Sequence, residues 1–469
     1  GQPFYAVFNL EMTHESQIRR RPHVWVHDPA KVGIPPYHPD NEDTRHEWAQ
    51  YHDKITEMDT RAGELLRELE TAGLAPDTVV FFFGDNGPGL PRIKRDGYNA
   101  GLHVPLIVHL PERWKSLAAG WWKPGGEGNR LIEFVDLAPT MLSIAGAKPP
   151  AHFQGRAFLG PHTRPGPAFL HGMMDRMGER YDFIRTVRNQ RYVYLRNYMP
   201  HRPHGQHGDY TFQTPMTRAW KAQYDAGQLR PPQTGYWEPK EPEELYDLHN
   251  DPHEVNNLAA SPAHRAVLRT FRAALRRHQL RIRDTGFLPE NELLERSRGT
   301  TPYAMAQDRG KYPLERILPA AELAASRDAG ALPRLMRLAA DRDSAVRYWA
   351  LMGFLIRGRE AVTGARPLLL GSLSDNAPAV RIVAAEALAR YGADADAATA
   401  ADTLAALCDP RANTLTVVIQ AMNALDEAGA RAKPAIAKLQ KLPKQDPGAG
   451  SRYPNLYPVL LQWLLAKLP

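Results

Sequence analysis

The stretch VVFFFGDNGPGLPRIKR, Val79 to Arg95, breaks from a β-branched and aromatic run into an acid, an amide and a glycine. Two prolines and the cations Arg92, Lys94 and Arg95 follow. A short continuous apolar run predicts a strand covered on both faces, as in a parallel sheet flanked by helices. Ligands of open α/β sheets sit beyond the carboxyl ends of the strands, where Asp85 and Asn86 stand. An acid beside an amide offers hard oxygen ligands for calcium or magnesium. Asn86-Gly87 also reads as a tight turn, although no alternating strand returns after it. Lys94 follows Asp85 by nine residues. Folded back beside a metal, it would hold an anionic oxygen, as sites for sulfuryl and phosphoryl groups do. Arg92 and Arg95 are equivalent candidates, and each of the three also reads as a solvated charge.

Upstream, Phe4–Leu10 (FYAVFNL) predicts a second buried strand, followed by EMTHES. If the two strands are neighbours, His14 shares a rim with Asp85, where it can bind an anion or protonate a leaving group. Residues 19–42 read as a long loop. Thr44 and Glu47 form a candidate capping box. A helix then follows from the spacing of Trp48, Tyr51, Ile55, Met58, Ala62, Leu65 and Leu69, ending at Gly73. His103–Leu110 (HVPLIVHL) predicts a further parallel strand. Together these segments predict an α/β layered domain.

From Pro167 onward, PAFLHG, RYDFIRTVR and RYVYLR alternate with turns and predict an antiparallel sheet. EELYDLHNDPHEVNNLA and a helix over Pro262–Arg283 complete a small α+β subdomain. Residues 286–318 read as an irregular linker. In the tail, Asp341, Asp375 and Asp409 recur every 34 residues, as do Trp349, Val383 and Val417, and Phe354, Leu388 and Met422. Such a period in helical pairs predicts an α-solenoid of HEAT-like repeats, which either binds a protein partner or braces its neighbour.

A chain of 469 residues implies two or three domains. Its net charge of +7 permits an anionic partner such as a sulfated or phosphorylated sugar, and solubility explains it equally well. The single cysteine, Cys408, excludes an intrachain disulfide and a cysteine zinc site, and reads as a small core residue. No apolar run reaches membrane-spanning length and no signal-peptide pattern opens the sequence. Entry directly on an apolar run suggests that further chain precedes Gly1. HRPHGQH sets His201, His204 and His207 at three-residue steps, but the intervening Pro and Gly favour a polar loop over a metal site.

YAVFNLEMTHES, LLRELETAGLAPDTVVFFFGDNG, KRDGYNAGLHVPLIVHLP and FVDLAPTMLSIAG together resemble the type I sulfatases of the alkaline-phosphatase-like superfamily. EELYDLHNDPHEVNNLA resembles the signature of their C-terminal subdomain. The resemblance covers about residues 1–285, with DNGPGLPR and MMDRMGERYDFIRTVRNQRYVYLRNYMP closest to the heparan N-sulfatase-like branch. It implies that Asp85 and Asn86 are calcium ligands. It also implies that Lys94 contacts the sulfate and that His14 contacts the sulfate or the leaving-group oxygen. In the family, a formylglycine hydrate attacks sulfur while calcium and basic side chains stabilise the sulfuryl oxygens. Asp175 and Arg176, with Arg180, fall in a segment resembling the active-site rim and are candidate substrate ligands. They read equally as a surface ion-pair cluster.

The family's nucleophile motif, Cys/Ser-x-Pro-Ser/Ala-x-Arg, occurs nowhere in the chain, and CDPRA at Cys408 does not match it. The N-terminal Asp-Asp metal pair and the Lys and His after the nucleophile are also missing, all from one contiguous block. The expected architecture is part of a sulfatase α/β sandwich over residues 1–160, its α+β subdomain over 161–285, a linker over 286–318 and HEAT-like repeats over 319–469. The expected function is hydrolysis of a sulfate ester or sulfamate on a carbohydrate, by a protein that is periplasmic or extracellular as the family implies. The chain alone is expected to be inactive, with neither a nucleic-acid partner nor a membrane span. Two alternatives stay open: a phosphoesterase or phosphonate hydrolase of the same superfamily, and a non-catalytic binder of anionic glycans with a partner-docking solenoid.

Overall fold

The computed structural model describes residues 2–118, 120–176, 178–448 and 455–468. Its first strands, β1 (Val80–Phe83) and β2 (Leu106–His109), pair antiparallel, with Val80 opposite His109 and Phe83 opposite Leu106. This corrects the expected parallel sheet. Only one face of the ribbon is covered. Val79, Phe81, Leu106 and Val108 pack on Leu110, Phe158 and Leu159, while Ile107 and His109 on the other face are exposed. Phe4–Leu10 is likewise not a buried strand. It forms no regular element, with Phe4, Tyr5, Val7 and Phe8 exposed. A strand needs a neighbour for its N–H and C=O groups, and among the described residues this segment has no strand partner.

Helix α1 spans Glu42–Thr71 and is capped by Asn41, whose side chain accepts from Thr44 N at 2.9 Å. The cap therefore lies three residues before the Thr44–Glu47 box expected from sequence. Thr44 and Glu47 are buried instead, and Glu47 accepts from Met216 N. Helix α1 ends next to Gly73, which takes the left-handed φ of 70° that favours glycine there.

A four-stranded antiparallel meander follows: β3 (Leu170–Met174), β4 (Ile184–Arg188), β5 (Tyr192–Asn197) and β6 (Glu243–Asp247), in that order. Side chains alternate across it. Val187, Tyr194 and Leu245 pack on Leu268, Phe271 and Leu275 of helix α2 (Arg265–Ile282). Ile184, Val193, Leu195 and Tyr246 pack on Tyr98 from the loop after β1. The sheet is thus the wall against which the Asp85–Asn99 loop is held.

The stretch expected to be an irregular linker carries two short helices, α3 (Glu290–Arg296) and α4 (Pro302–Gln307), and buries Phe287, Leu288, Met305 and Tyr312. Its order has an aromatic cause. Phe183, Tyr198, Phe287 and Trp349 cluster, and Trp349 Nε1 donates to Phe287 O at 2.9 Å. Beyond it lie α5 (Leu314–Ala325), α6 (Ser344–Arg357), α7 (Pro378–Tyr391), α8 (Asp394–Leu407), α9 (Leu415–Ala428) and α10 (Leu456–Lys467). Trp349, Val383 and Val417 occupy matching buried places on α6, α7 and α9, as do Phe354, Leu388 and Met422. Cys408 is fully buried, and burial pushes its thiol pKa up. Among the described residues no helix is long and apolar enough to cross a membrane.

Candidate functional site

The loop after β1 closes on itself through contacts that exclude larger side chains. Gly87 N donates to Gly101 O at 3.0 Å, and a Cβ on Gly87 would stand 1.9 Å from Ala100 O. A Cβ on Gly89 would meet Glu15 Cβ at 2.5 Å, so the glycine lets the His14–Glu15 segment lie directly on the loop. Arg92 and Arg95 adopt φ of 65° and 76°, a conformation that costs L-residues of order 1–3 kcal/mol and must be held by surrounding contacts. Those contacts are visible. The Arg92 guanidinium lies 4.1 Å from the Tyr37 ring centroid and 3.9 Å from that of Tyr98, and donates to Glu254 O at 2.6 Å. Arg92 is therefore a bolt between this loop and the HNDPHEV turn, not an exposed anion clamp.

Asp85 is exposed at the carboxyl end of β1, and among the described residues its carboxylate has no hydrogen-bond or ion-pair partner. Asn86 Nδ2 donates to Gly87 O at 2.7 Å, which leaves its carbonyl oxygen as the outward acceptor. His14 is exposed and caps the short helical turn Glu15–Ile18, with Nδ1 2.9 Å from Ser16 Oγ. Lys94 is not a solvated cation. Its Nζ lies 3.5 Å from Glu15 Oε2, and Arg95 closes on the same carboxylate. Glu15, which sequence reasoning overlooked, is buried beneath both cations. The only signal for it was an acid directly after His14.

Calcium takes six to eight oxygen ligands. Asp85 and Asn86 supply two side chains, and among the described residues no group of three or more His, Cys, Asp or Glu could hold a metal. The residues present do not by themselves complete a calcium site.

Behind Lys94 a cavity of about 70 Å³ is lined by Glu15, Asp96, Arg180, His204 and Gln206, among others. The HRPHGQH segment is a loop, and within it His201 and His204 are both buried. Burial opposes the charged His204 ring, but Asp96 at 3.2 Å and Glu244 at 3.5 Å outweigh it and raise its pKa. Burial likewise pushes the Glu244 carboxyl up, yet His204, Tyr246 and Asn197 together bring it down to about 2. His207 instead stacks on Trp463 of α10, with ring centroids 3.6 Å apart.

The candidate rim residues are engaged inside the molecule. Asp175 pairs with Arg185 at 2.8 Å. Arg176 pairs with Glu290 of α3 at 2.7 Å. Arg180 reaches α9, at 2.8 Å from Asp426. This segment is a seam joining the meander to the helical tail.

The sulfatase family model matches residues 1–147. Over 332 residues the chain is 34% identical to an ulvan-active sulfatase of Formosa agariphila, spanning 63% of this chain and 54% of that protein. Over 315 residues it is 28% identical to human N-sulphoglucosamine sulphohydrolase, spanning 63% of this chain and 60% of that one. Among solved structures, a putative sulfatase from Bacteroides thetaiotaomicron aligns with a TM-score of 0.38 at 21% identity, over 52% of this chain and 45% of that one. The chain spans between half and three-fifths of the length of these two curated relatives. Over its first 147 residues the chain carries the sulfatase family pattern, and the curated relatives it matches are sulfatases.

Proposed function

We propose that this chain is part of a sulfatase that hydrolyses a sulfate ester or sulfamate on a carbohydrate. The observation that carries the reading is the open Asp85–Asn86 pair at the end of β1, in the segment that matches the family model, with Lys94 and His14 on the adjoining loop and turn. In this reading Asp85 and Asn86 contribute oxygens to a calcium site that other residues complete, and Lys94 and His14 face the sulfate. Asp175 and Arg176 stay at the margin, their charges matched by Arg185 and Glu290. The nucleophile comes from outside these 469 residues, since no Cys/Ser-x-Pro-Ser/Ala-x-Arg occurs in them. Cys408 is no substitute, because its thiol is buried in the helical tail. The tail is a HEAT-like array that braces the body, and the protein works in the periplasm or outside the cell, near the branch of the heparan N-sulfatases.

The test is sulfate release from sulfated oligosaccharides, comparing this chain with the product of its full coding frame. We expect release by the full product only, falling at least about 100-fold in Lys94→Ala, as when one charge-stabilising donor is removed. A full product that binds sulfated glycan without releasing sulfate overturns the reading in favour of a glycan-binding protein.

A further inference from the structure

Helix α2 and its C-cap carry seven arginines and not one lysine or acid. Arg283 is buried and donates to Ala306 O. The other six, Arg265, Arg269, Arg272, Arg276, Arg277 and Arg281, are exposed. The helix packs its apolar face on the meander through Leu268, Phe271 and Leu275. Tyr98, from the loop that bears Lys94, packs on the meander's other face. The sheet therefore stands between the arginines and the candidate site.

The charge on this outer face is unmatched. Arg272 pairs with Glu243 and Arg276 with Glu322. Among the described residues no carboxylate lies within ion-pair distance of Arg265, Arg269, Arg277 or Arg281. Glu133 feels Arg156 and Arg281 together, but burial pushes its carboxyl up to about 7, so it offsets them only in part. Like charges four residues apart repel on a helix, and Arg265–Arg269, Arg272–Arg276 and Arg277–Arg281 are three such pairs. Arg265 and Arg269 also stand near the helix N-terminus, whose dipole disfavours cations. The arrangement works against the helix itself, and an anion laid along it relieves both penalties.

The chemistry of the face selects that anion. At 1.5 Å per residue, Arg265 and Arg281 stand about 24 Å apart along the axis. The face thus suits an extended polyanion and far exceeds a single small ion. Every cation on it is a guanidinium, whose planar fork matches two oxygens of one sulfate or phosphate group. No large apolar side chain of α2 is exposed, so the helix has nothing to insert into a membrane and no ring on which bases would stack.

We infer that the outer face of α2 is an anchoring surface for a sulfated polysaccharide, separate from the site that carries the chemistry. The inference rests on the sulfatase reading only for the polymer being a sulfated glycan.

The test is isothermal titration calorimetry on the full 469-residue chain with a heparin-derived octasaccharide, over a series of sodium chloride concentrations. The expected result is binding that weakens steeply with salt. Replacing Arg265, Arg269, Arg277 and Arg281 together by Gln should weaken it at least about tenfold, as for the loss of several contacts to a polyanion. Neutralising four exposed cations elsewhere, Lys123, Lys148, Arg334 and Arg337, changes the net charge equally and should leave the affinity within about twofold. Lys94→Ala should leave it in place as well. No binding, unchanged affinity in the α2 variant, an equal loss in the control variant, or tighter binding of a DNA duplex of the same charge overturns the anchor. Its failure is separable from that of the sulfatase reading, because this binding needs no turnover. Sulfate release by the full product, with unchanged binding in the α2 variant, removes the anchor alone. Binding lost in that variant, with no sulfate release by the full product, removes the sulfatase reading alone.

Discussion

Glu15 lies 3.5 Å from Lys94 and is the buried counter-charge on which the basic loop rests. Arg95 closes on the same carboxylate, so one acid is shared by two cations that are each 18% exposed. Glu15→Gln would leave both cations unpaired in a largely dry setting, and should cost about 3 kcal/mol of stability. Lys94→Met leaves the Glu15–Arg95 pair intact and should cost about 1 kcal/mol. Urea unfolding of the two variants checks the order. Equal costs would mean that Glu15 does not serve both cations.

Legibility followed how local the cause was. The end of α1 at Gly73 and the alternation of RTVR and YVYLR needed only backbone freedom and side-chain period, and both are found where the sequence places them. Residues 79–83 misled, because an apolar run cannot tell a doubly covered strand from a ribbon covered on one face. Phe81 is packed here, while Phe82 faces the same side as the exposed Ile107 opposite it. Glu15, Asp96 and Glu244 could not be found from sequence either. Each is an acid whose partner lies far along the chain, as Glu244 is from His204. The rim cations Arg176 and Arg180 looked like surface charge, because nothing local shows that Glu290 and Asp426 fold onto them.

Glu47 provides a pH test. Burial, opposed by the hydrogen bond from Met216 N, pushes its carboxyl up to about 8. The unfolded chain releases this proton near its ordinary value, 4.5. Between the two values the folded state holds a proton that the unfolded state has lost. The stabilisation is therefore fully present below the unfolded value and is lost as pH rises through about 8. Glu47→Gln keeps an acceptor for Met216 N and cannot ionise. Its stability relative to the native chain should improve by roughly 3 kcal/mol from pH 6 to pH 9, at about 1.4 kcal/mol for each unit of the shift crossed. Glu254 and Glu133, each raised to about 7, titrate in the same direction but are common to both proteins. Urea unfolding at the two pH values measures the difference, and a constant gap would show that Glu47 is ionised throughout.

Buried ion pairs cross the seam between the meander and the helical tail. Arg202, which follows β5, pairs with Glu386 of α7 at 3.2 Å, with the two side chains 7% and 3% exposed. Arg390 also reaches Glu386, at 3.4 Å. Removing Glu386 strands a buried guanidinium, a change that costs about 3–5 kcal/mol, whereas replacing both charges by apolar groups spares the desolvation of each. Glu386→Leu should therefore destabilise strongly, and Arg202→Met combined with Glu386→Leu should recover most of the loss. Denaturant unfolding followed separately by tryptophan fluorescence and by far-ultraviolet circular dichroism reads both quantities. If the tail is bound as firmly as its buried pairs imply, the two probes give one coincident transition in the native chain. In Glu386→Leu the transitions should separate, because the tail loses its grip before the body unfolds, and in the double variant they should merge again. Separate transitions already present in the native chain would show that the pair contributes no coupling across the seam.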